Sequence, residues 1–263
     1  MMIGKRGAAT TAISVARAEG IGVRGKDLAR ELMGRVSFTE FFFFLATGRA
    51  ATAAQRDFLD MSLVAIAEHG LTPSVQAARM TYAADPVALQ GAVAAGVLGC
   101  GTVILGAARL CADLLKDVLA SQDKGTPLDA VAREVAEGYR EAKRPIPGFG
   151  HPLHKPVDPR AEAMLALAQD RGVAGRAVAA AKALAAAVAE AWSKPLPMNV
   201  SMSIAAILTD LDVPDAIIRG VPILARTAGL LAHLGEEAET PIGFLLASSG
   251  EAAIQHTAGF GEE

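Results

Sequence analysis

The chain has 263 residues, with 25 Lys and Arg against 28 Asp and Glu, and its formal net charge of −3 excludes a protein that binds nucleic acid by broad phosphate neutralisation. Hydrophobic residues make up 52% of the chain and charged residues 20%, which excludes a disordered protein and supplies enough apolar side chains for a core. Most of the apolar residues are Ala, Leu and Val, and since Ala and Leu favour helices, the composition predicts an all-α fold.

The two cysteines, Cys100 and Cys111, are too few for a disulfide framework. We expect both to be buried as small hydrophobic residues in a reducing compartment. Residues 1–8 lack the apolar segment of an export signal. The sequence therefore predicts a cytoplasmic protein.

The first two helices are predicted from capping boxes, in which one side chain caps a backbone N–H and another reaches back to the cap. The box Ser37–Glu40 precedes a Phe-rich run that should end at Gly48. The box Thr52–Gln55 opens a second helix, which should end at His69–Gly70.

The segment Pro86–Ala108 carries no charge and is long enough to cross a bilayer. Nearly half of its residues are Ala and Gly, however, and we expect it to be only weakly hydrophobic. We expect a buried helix that ends in a glycine-rich bend between Gly99 and Gly106, with a dimer interface covering part of it. No membrane association is predicted.

Further helices are predicted from N-cap residues that precede a proline and from apolar periodicity. Thr126 should cap one helix, and Asp158 another that ends at Gly172. The remaining predicted helices are Ala174–Trp192, Ser203–Leu211 and Ile223–Leu234. Alternating strand patterns are lacking, which excludes a parallel α/β sheet.

The segment Pro145–Pro152 must be a loop, because its prolines and glycines resist helix formation. It carries His151, and His154 and Arg160 follow, with Arg160 in the first turn after the Asp158 cap. A histidine, an arginine and a helix N-terminus together favour an anion or oxyanion site. The alternative is that the histidines are solvated and that Arg160 pairs with a nearby acid.

Two further candidates lie outside this loop. His69 stands at a predicted helix C-terminus, where it either contributes to a site or only complements the helix dipole. Arg226 lies at an apolar helix start, and such a charge needs an acidic partner or an anionic ligand. His233 falls on the same helix face. The five histidines have no carboxylate or thiol partners at metal-ligand spacing, so no metal is expected.

Four collinear motifs resemble the citrate synthase family. Gly148–His151 followed by Asp158–Ala161 is similar to its Gly-Phe-Gly-His loop and Asp-Pro-Arg turn. Glu68–Ser74 resembles its Asp-His-Gly-Leu stretch, and Ala225–Gly229 its Gly-Arg-Thr-Ala-Gly stretch. In length the chain looks most like the compact citryl-CoA lyases and the corresponding module of ATP-citrate lyase.

The resemblance implies a helical dimer in which a small domain closes over a large one. The large domain would comprise 1–105 and 213–263, and the small, CoA-binding domain 106–212. It implies a homodimer that acts on a CoA thioester and a dicarboxylate, with a further subunit left open and without nucleic acid.

The resemblance also implies roles for individual residues. His151 would polarise the substrate carbonyl, or remove the hydroxyl proton in the cleavage direction, with Arg160 beside it. Arg160, His69 and Arg226 would hold the carboxylates of the oxaloacetate-like partner, and Ser74 would also bind it. The residues implied for coenzyme A are Pro147, Gly148, Phe149, Gly150, Lys155 and Asn199.

Two positions depart from the family pattern. Ile104 occupies the place of a catalytic histidine that donates to the thioester carbonyl, and Ser201 the place of the aspartate that moves the acetyl proton. Neither residue transfers protons near neutral pH, and such groups contribute roughly 10²–10⁴-fold each. The stretch Glu239–Ser249 also lacks the arginine that family members often supply there. Cys100, and Asp210 or Asp212, are weak candidates for replacing the missing groups.

Three hypotheses follow. The first is a lyase that cleaves a citryl-CoA-like 3-hydroxyacyl-CoA into an acyl-CoA and an oxo acid. The second is condensation or hydrolysis of another acyl-CoA whose proton is more acidic. The third is a non-catalytic protein or subunit that binds CoA or a dicarboxylate.

Overall fold

The computed structural model describes residues 9–257, without the side chain of Val103. Expectations for residues 1–8 and 258–263 lie outside the described residues. The described part begins with strands β1 (Ser14–Arg17), β2 (Gly20–Val23) and β3 (Lys26–Asp27) and a π-helical turn, Leu28–Leu32. The helices that follow are α1 (Phe38–Thr47), α2 (Ala53–Ala67), α3 (Pro73–Ala84), α4 (Leu89–Leu105), α5 (Ala107–Asp123), α6 (Leu128–Glu141), α7 (Pro159–Asp170), α8 (Arg176–Trp192), α9 (Val200–Asp210), α10 (Asp215–Glu239) and α11 (Gly243–Ala253).

The helical class predicted from composition is confirmed, with one addition at the start of the chain. Strands β1, β2 and β3 form a small antiparallel sheet. Arg24 and Gly25 connect β2 to β3 with φ of 50° and 82°, the positive values of a tight hairpin turn. All four residues of β1 are exposed, so the segment has no buried face and its sequence shows no alternation.

Both predicted capping boxes are confirmed. Ser37 accepts the N–H of Glu40, whose side chain reaches back, and α1 ends at Gly48 with φ 75°. Thr52 and Gln55 cap α2 in the same way. These local signals fix where α2 begins, and the far end of α2 leads into the segment that carries His69.

The predicted Thr126 cap is wrong by one position. Pro127 has extended backbone angles, φ −57° and ψ 139°, so α6 begins at Leu128 without a side-chain cap. The Asp158 cap is confirmed, because its carboxylate accepts the N–H of Arg160.

Asp210, considered above as a substitute acid–base group, has a structural function instead. Its carboxylate accepts the backbone N–H groups of Gly175, Ala177 and Val178 at 2.8 to 2.9 Å. The N-terminus of α8 is thereby capped by a residue from the end of α9, which joins the two helices.

Replacing Asp210 with Ala should destabilise the protein by about 1–2 kcal/mol, because three N–H groups lose a charged acceptor. Chemical denaturation measures this loss. Asp210→Asn is the matched control and should lose less, since its amide oxygen still accepts. Equal stability of Asp210→Ala and the wild type would contradict the capping function.

The glycine-rich bend after α4 is present, but the expected burial of α4 is not found within one chain. Gly101 adopts φ 56° and ψ −169° inside α4, and Gly106 separates α4 from α5. Leu98 on α4 is 79% exposed. By length and composition alone, 89–123 and α10 could each cross a membrane, and the first is interrupted at these two glycines.

The main core lies between the alanine-rich α8 and the helices around it, with α9 almost fully buried. A second, smaller cluster joins α3, α4 and α10 through residues such as Val75 and Leu230. Both cysteines are buried, as predicted. Burial raises the pKa of the Cys111 thiol to about 12, so this group stays a protonated core residue.

A buried ion cluster joins α3 to α10. Arg79 is 2% exposed and donates to Glu237 and Glu236, both at 2.6 Å. Glu237 also accepts the N–H groups of Ile242 and Gly243 at the start of α11. Burial would raise the pKa of Glu237, but these hydrogen bonds lower it.

Candidate active site

A cavity of about 760 Å³ opens where the end of α2, the loop at 150–153, the junction of α4 and α5, and α7, α9 and α10 meet. Its polar wall carries His69, His151, Arg160 and Arg226. The structure thus brings together four candidates that lie up to 157 positions apart in the sequence. Apolar side chains form most of the remaining wall.

His151 is oriented by its own loop. Its Nδ1 accepts the backbone N–H groups of Leu153 and His154 at 3.1 and 3.0 Å. A neutral ring in this position carries its proton on Nε2, which lies 3.5 Å from Nη2 of Arg160. Burial, followed by the charge of His154, lowers the pKa of His151. The ring is therefore suited to donate a hydrogen bond, and less suited to accept a proton at Nε2.

His69 follows the C-terminus of α2. Its ring meets that of His151 edge to face, with 5.4 Å between centroids. Burial lowers its pKa, and the charges of Arg160 and Arg226 lower it further. His69 is therefore a neutral imidazole at physiological pH, and a neutral imidazole can accept a proton.

Arg160 pairs with Asp158, which agrees with one of the two alternatives left open by the sequence. Its Nε and Nη2 donate to the two oxygens of Asp158 at 3.0 and 2.9 Å. Asp158 is 1% exposed and also accepts the N–H of Val200 at the start of α9. Burial would raise the pKa of Asp158, but these hydrogen bonds and the Arg160 charge lower it. Arg160 thus faces the cavity with its charge compensated.

Arg226 is different. It is 9% exposed, and its Nη1 is fully buried without a hydrogen-bond partner among the described residues. Burial lowers the pKa of this guanidinium. An arginine nevertheless keeps its proton, and a buried donor without a partner is costly. Arg226 is therefore the residue of this wall that most needs an anionic ligand.

The residues implied for coenzyme A divide into two groups. Gly150 and Asn199 line the cavity, and the Asn199 amide donates to the Gly150 carbonyl at 3.3 Å while its oxygen caps α9. The others do not line it: Pro147, Gly148 and Phe149 lie in the preceding part of the loop, and Lys155 is exposed beyond it.

Ser74 also lies away from the cavity. It is 1% exposed, and its hydroxyl contacts that of Thr72 at 2.9 Å. Thr72 itself lines the wall, together with Pro73. The two replaced positions, Ile104 and Ser201, both line the cavity.

The spacing of residues in the sequence did not predict two groups of side chains that the structure brings together. His69, His151 and His154 have ring nitrogens within 4.8 Å of one another, although no ligand spacing joins them in the chain. His151 and His154 are stacked at 4.3 Å, and Nδ1 of His151 is already used by backbone N–H groups. Stacked rings do not converge on one point, so this cluster does not have the geometry of a metal site.

The second grouping explains His233. Its Nε2 lies 2.9 Å from the Glu68 carboxylate, which accepts the backbone N–H groups of His69 and Gly70. His233 therefore contacts the segment that carries His69 rather than lining the cavity itself. Arg226 and His233 were predicted to share one face of α10. Arg226 lines the cavity, and His233 contacts Glu68 next to His69.

The lowered pKa of His69 and of His151 predicts a pH dependence of stability. Below about pH 6.5 these two histidines are protonated more readily in the unfolded chain than in the folded one. The free energy of unfolding should therefore fall as pH falls. Asp158 and Glu237, with lowered pKa, lose their contributions only below about pH 4. Thermal unfolding between about pH 8 and 5 measures the effect. His69→Gln/His151→Gln should flatten it, and an equal slope in that variant would contradict this assignment.

Comparison with known proteins adds to this geometry. The model of the family described as "Citrate synthase, C-terminal domain" matches residues 5–243. The structure of citryl-CoA lyase from Hydrogenobacter thermophilus is similar, with a TM-score of 0.84 and 28% identity, over 97% of this chain and 96% of that chain.

Two further similarities cover part of a larger protein. ATP citrate lyase from Methanothrix soehngenii, in complex with citrate and coenzyme A, gives a TM-score of 0.79 over 99% of this chain and 43% of that chain. At 19% identity this likeness shows the fold alone. The citrate synthase of Heyndrickxia coagulans is 27% identical over 214 residues, 78% of this chain and 53% of that protein. The chain spans about half the length of the curated relatives it matches.

Proposed function

This chain belongs to the citrate synthase family, and from that membership we propose that it is a carbon–carbon lyase. It cleaves a 3-hydroxyacyl-CoA thioester into an acyl-CoA and an oxo acid. The observation that carries the proposal is the convergence of His69, His151 and the free Arg226 guanidinium on one cavity. The end-to-end similarity to a citryl-CoA lyase supports the lyase direction.

Cleavage requires proton acceptance and charge stabilisation at the substrate hydroxyl. His69 is neutral and accepts the hydroxyl proton. The Nε2–H of His151 donates to the same oxygen as it becomes a carbonyl, and Arg226 holds a carboxylate of the departing acid. The electron pair of the broken carbon–carbon bond passes to the thioester as an enolate. Water protonates that enolate, and the proton on His69 returns to the solvent.

The thioester end of the cavity limits which substrates react. Ile104 and Ser201 supply neither an acid nor a base for the enolate. Cleavage is therefore fastest for thioesters whose enolate is a good leaving group, such as those with an electron-withdrawing substituent. The same two residues favour the second candidate function, in which the protein binds CoA thioesters without turnover.

A mass-spectrometric turnover assay distinguishes these functions. The full chain is incubated with citryl-CoA and a panel of other 3-hydroxyacyl-CoA thioesters, beside His151→Ala as the control. Release of an acyl-CoA together with an oxo acid, abolished in the variant, is the expected result. CoA binding without turnover of any thioester would overturn the lyase and support the binding protein.

We also propose that the exposed apolar face of α4 is the interface of a homodimer. Leu98 is 79% exposed there, and α4 carries no charge. Leu98→Asp should shift the sedimentation equilibrium towards a monomer, because the charge would be buried at the interface. Leu153→Asp, at a residue 72% exposed on the site loop, is the matched control and should leave the mass unchanged. A monomeric wild type would contradict the proposal.

A further inference from the structure

The charges that face the cavity can be counted residue by residue. Arg160 is compensated by Asp158 through two hydrogen bonds. His69 and His151 are neutral near pH 7, because burial and nearby positive charges lower the pKa of both. Of the described residues that line the cavity, Arg226 alone is left as a cation without a bonded acid. The wall therefore carries a net charge of about one positive unit.

One free guanidinium matches one carboxylate. A carboxylate bound by the Arg226 guanidinium, which lines the cavity, would neutralise the wall. A second carboxylate on the same acid would find no uncompensated cation among the described lining residues. It would be buried with a negative charge that nothing offsets, and the loss of hydration would then exceed any hydrogen bond gained.

Most of the rest of the wall is apolar, and Thr72, Asn199 and Ser201 add neutral polar groups. Ile66, on the last turn of α2, stands three residues before His69, and Ile104 comes from α4. These side chains present alkyl groups to the cavity, and an alkyl substituent of a ligand buries favourably against them. The cavity thus offers one uncompensated cation on its polar wall and a largely apolar surface elsewhere.

From this combination we infer that the oxo acid bound here carries one carboxylate and an alkyl substituent, as a 2-oxo monocarboxylic acid does. The inference rests on the proposed function and narrows its substrate class. It departs from the dicarboxylate that the family resemblance implies. The thioester that is cleaved would then be a 3-hydroxyacyl-CoA with a single free carboxylate and an alkyl group on its hydroxyl-bearing carbon.

Two acids of nearly equal size test the inference. 2-Oxobutyrate and oxaloacetate differ in a terminal methyl group against a second carboxylate. Isothermal titration of the full chain near pH 7 should show that 2-oxobutyrate binds at least tenfold more tightly. Arg226→Gln should abolish that binding. Equal or tighter binding of oxaloacetate by the wild type, or no binding of either acid, would overturn the inference.

A second variant changes the charge count directly. Asp158→Asn keeps a side-chain oxygen for the cap of α7 but frees the Arg160 charge, so the preference should move towards oxaloacetate by tenfold or more. An unchanged preference in a folded variant would contradict the charge count.

Turnover assays distinguish a failure of this inference from a failure of the proposed lyase activity. If thioesters of the dicarboxylate are cleaved preferentially, the lyase stands and the inference falls. If 2-oxobutyrate binds preferentially but no thioester is cleaved, the inference stands and the lyase falls.

Discussion

Replacing His151 with Ala should reduce thioester cleavage by roughly 10²–10⁴-fold, because the developing carbonyl oxygen loses its positioned donor. The geometry specifies which nitrogen acts. Nδ1 is held by two backbone N–H groups, so Nε2–H faces the cavity. The loss should appear in kcat more than in KM, since the contact strengthens as the oxygen gains charge. Steady-state kinetics on the reacting thioester measures both.

Two glutamine variants separate donation from proton acceptance. The amide N–H of His151→Gln can still donate, and this variant should recover at least tenfold over His151→Ala. His69→Gln should show no comparable recovery over His69→Ala, because an amide does not accept a proton. Recovery at His69 but not at His151 would exchange the two assignments. Full activity of His151→Ala would remove this residue from the mechanism.

The largest expected effect on stability is that of Arg79→Met, with a loss of about 3–5 kcal/mol. The substitution leaves Glu237, whose side chain is 1% exposed, as a buried carboxylate without its cation. Met retains much of the volume of the arginine stem, so the loss reports charge rather than a cavity. Equilibrium unfolding in urea measures it.

Two controls make this prediction specific. The double variant Arg79→Met/Glu237→Gln buries no net charge and should recover most of the loss, which also covers the case in which the single variant does not fold. Arg109→Met breaks an exposed i, i+4 pair with Asp113 and should cost no more than about 0.5 kcal/mol. A loss in Arg79→Met as small as that of Arg109→Met would show that Glu237 is satisfied without its cation.

Sequence reasoning was most successful where the signal is local. The caps at Ser37, Thr52 and Asp158 are confirmed because a capping side chain acts on N–H groups two or three residues away. The prediction of a cap at Thr126 was wrong because the extended backbone of Pro127 makes α6 start at Leu128. The meander of β1, β2 and β3 was missed because its side chains are mostly exposed and leave no periodic pattern.

The candidate site could be predicted in part. The motifs identified His69, His151, Arg160 and Arg226, and the structure places all four on one cavity. The pairing of each residue could not be read from spacing. The charge of Arg160 is compensated by Asp158, whereas Arg226 has no bonded acid. This difference depends on the directions of side chains on several helices and loops. Ser74 illustrates the same limit, because it belongs to a matching motif and yet lies outside the cavity wall.

The carboxylate of Asp158 caps α7, pairs with Arg160 and accepts the first N–H of α9. One carboxylate thus joins the start of α7, the charge of Arg160 and the start of α9. Removal of this carboxylate should therefore loosen both helix N-termini and the Arg160 side chain together.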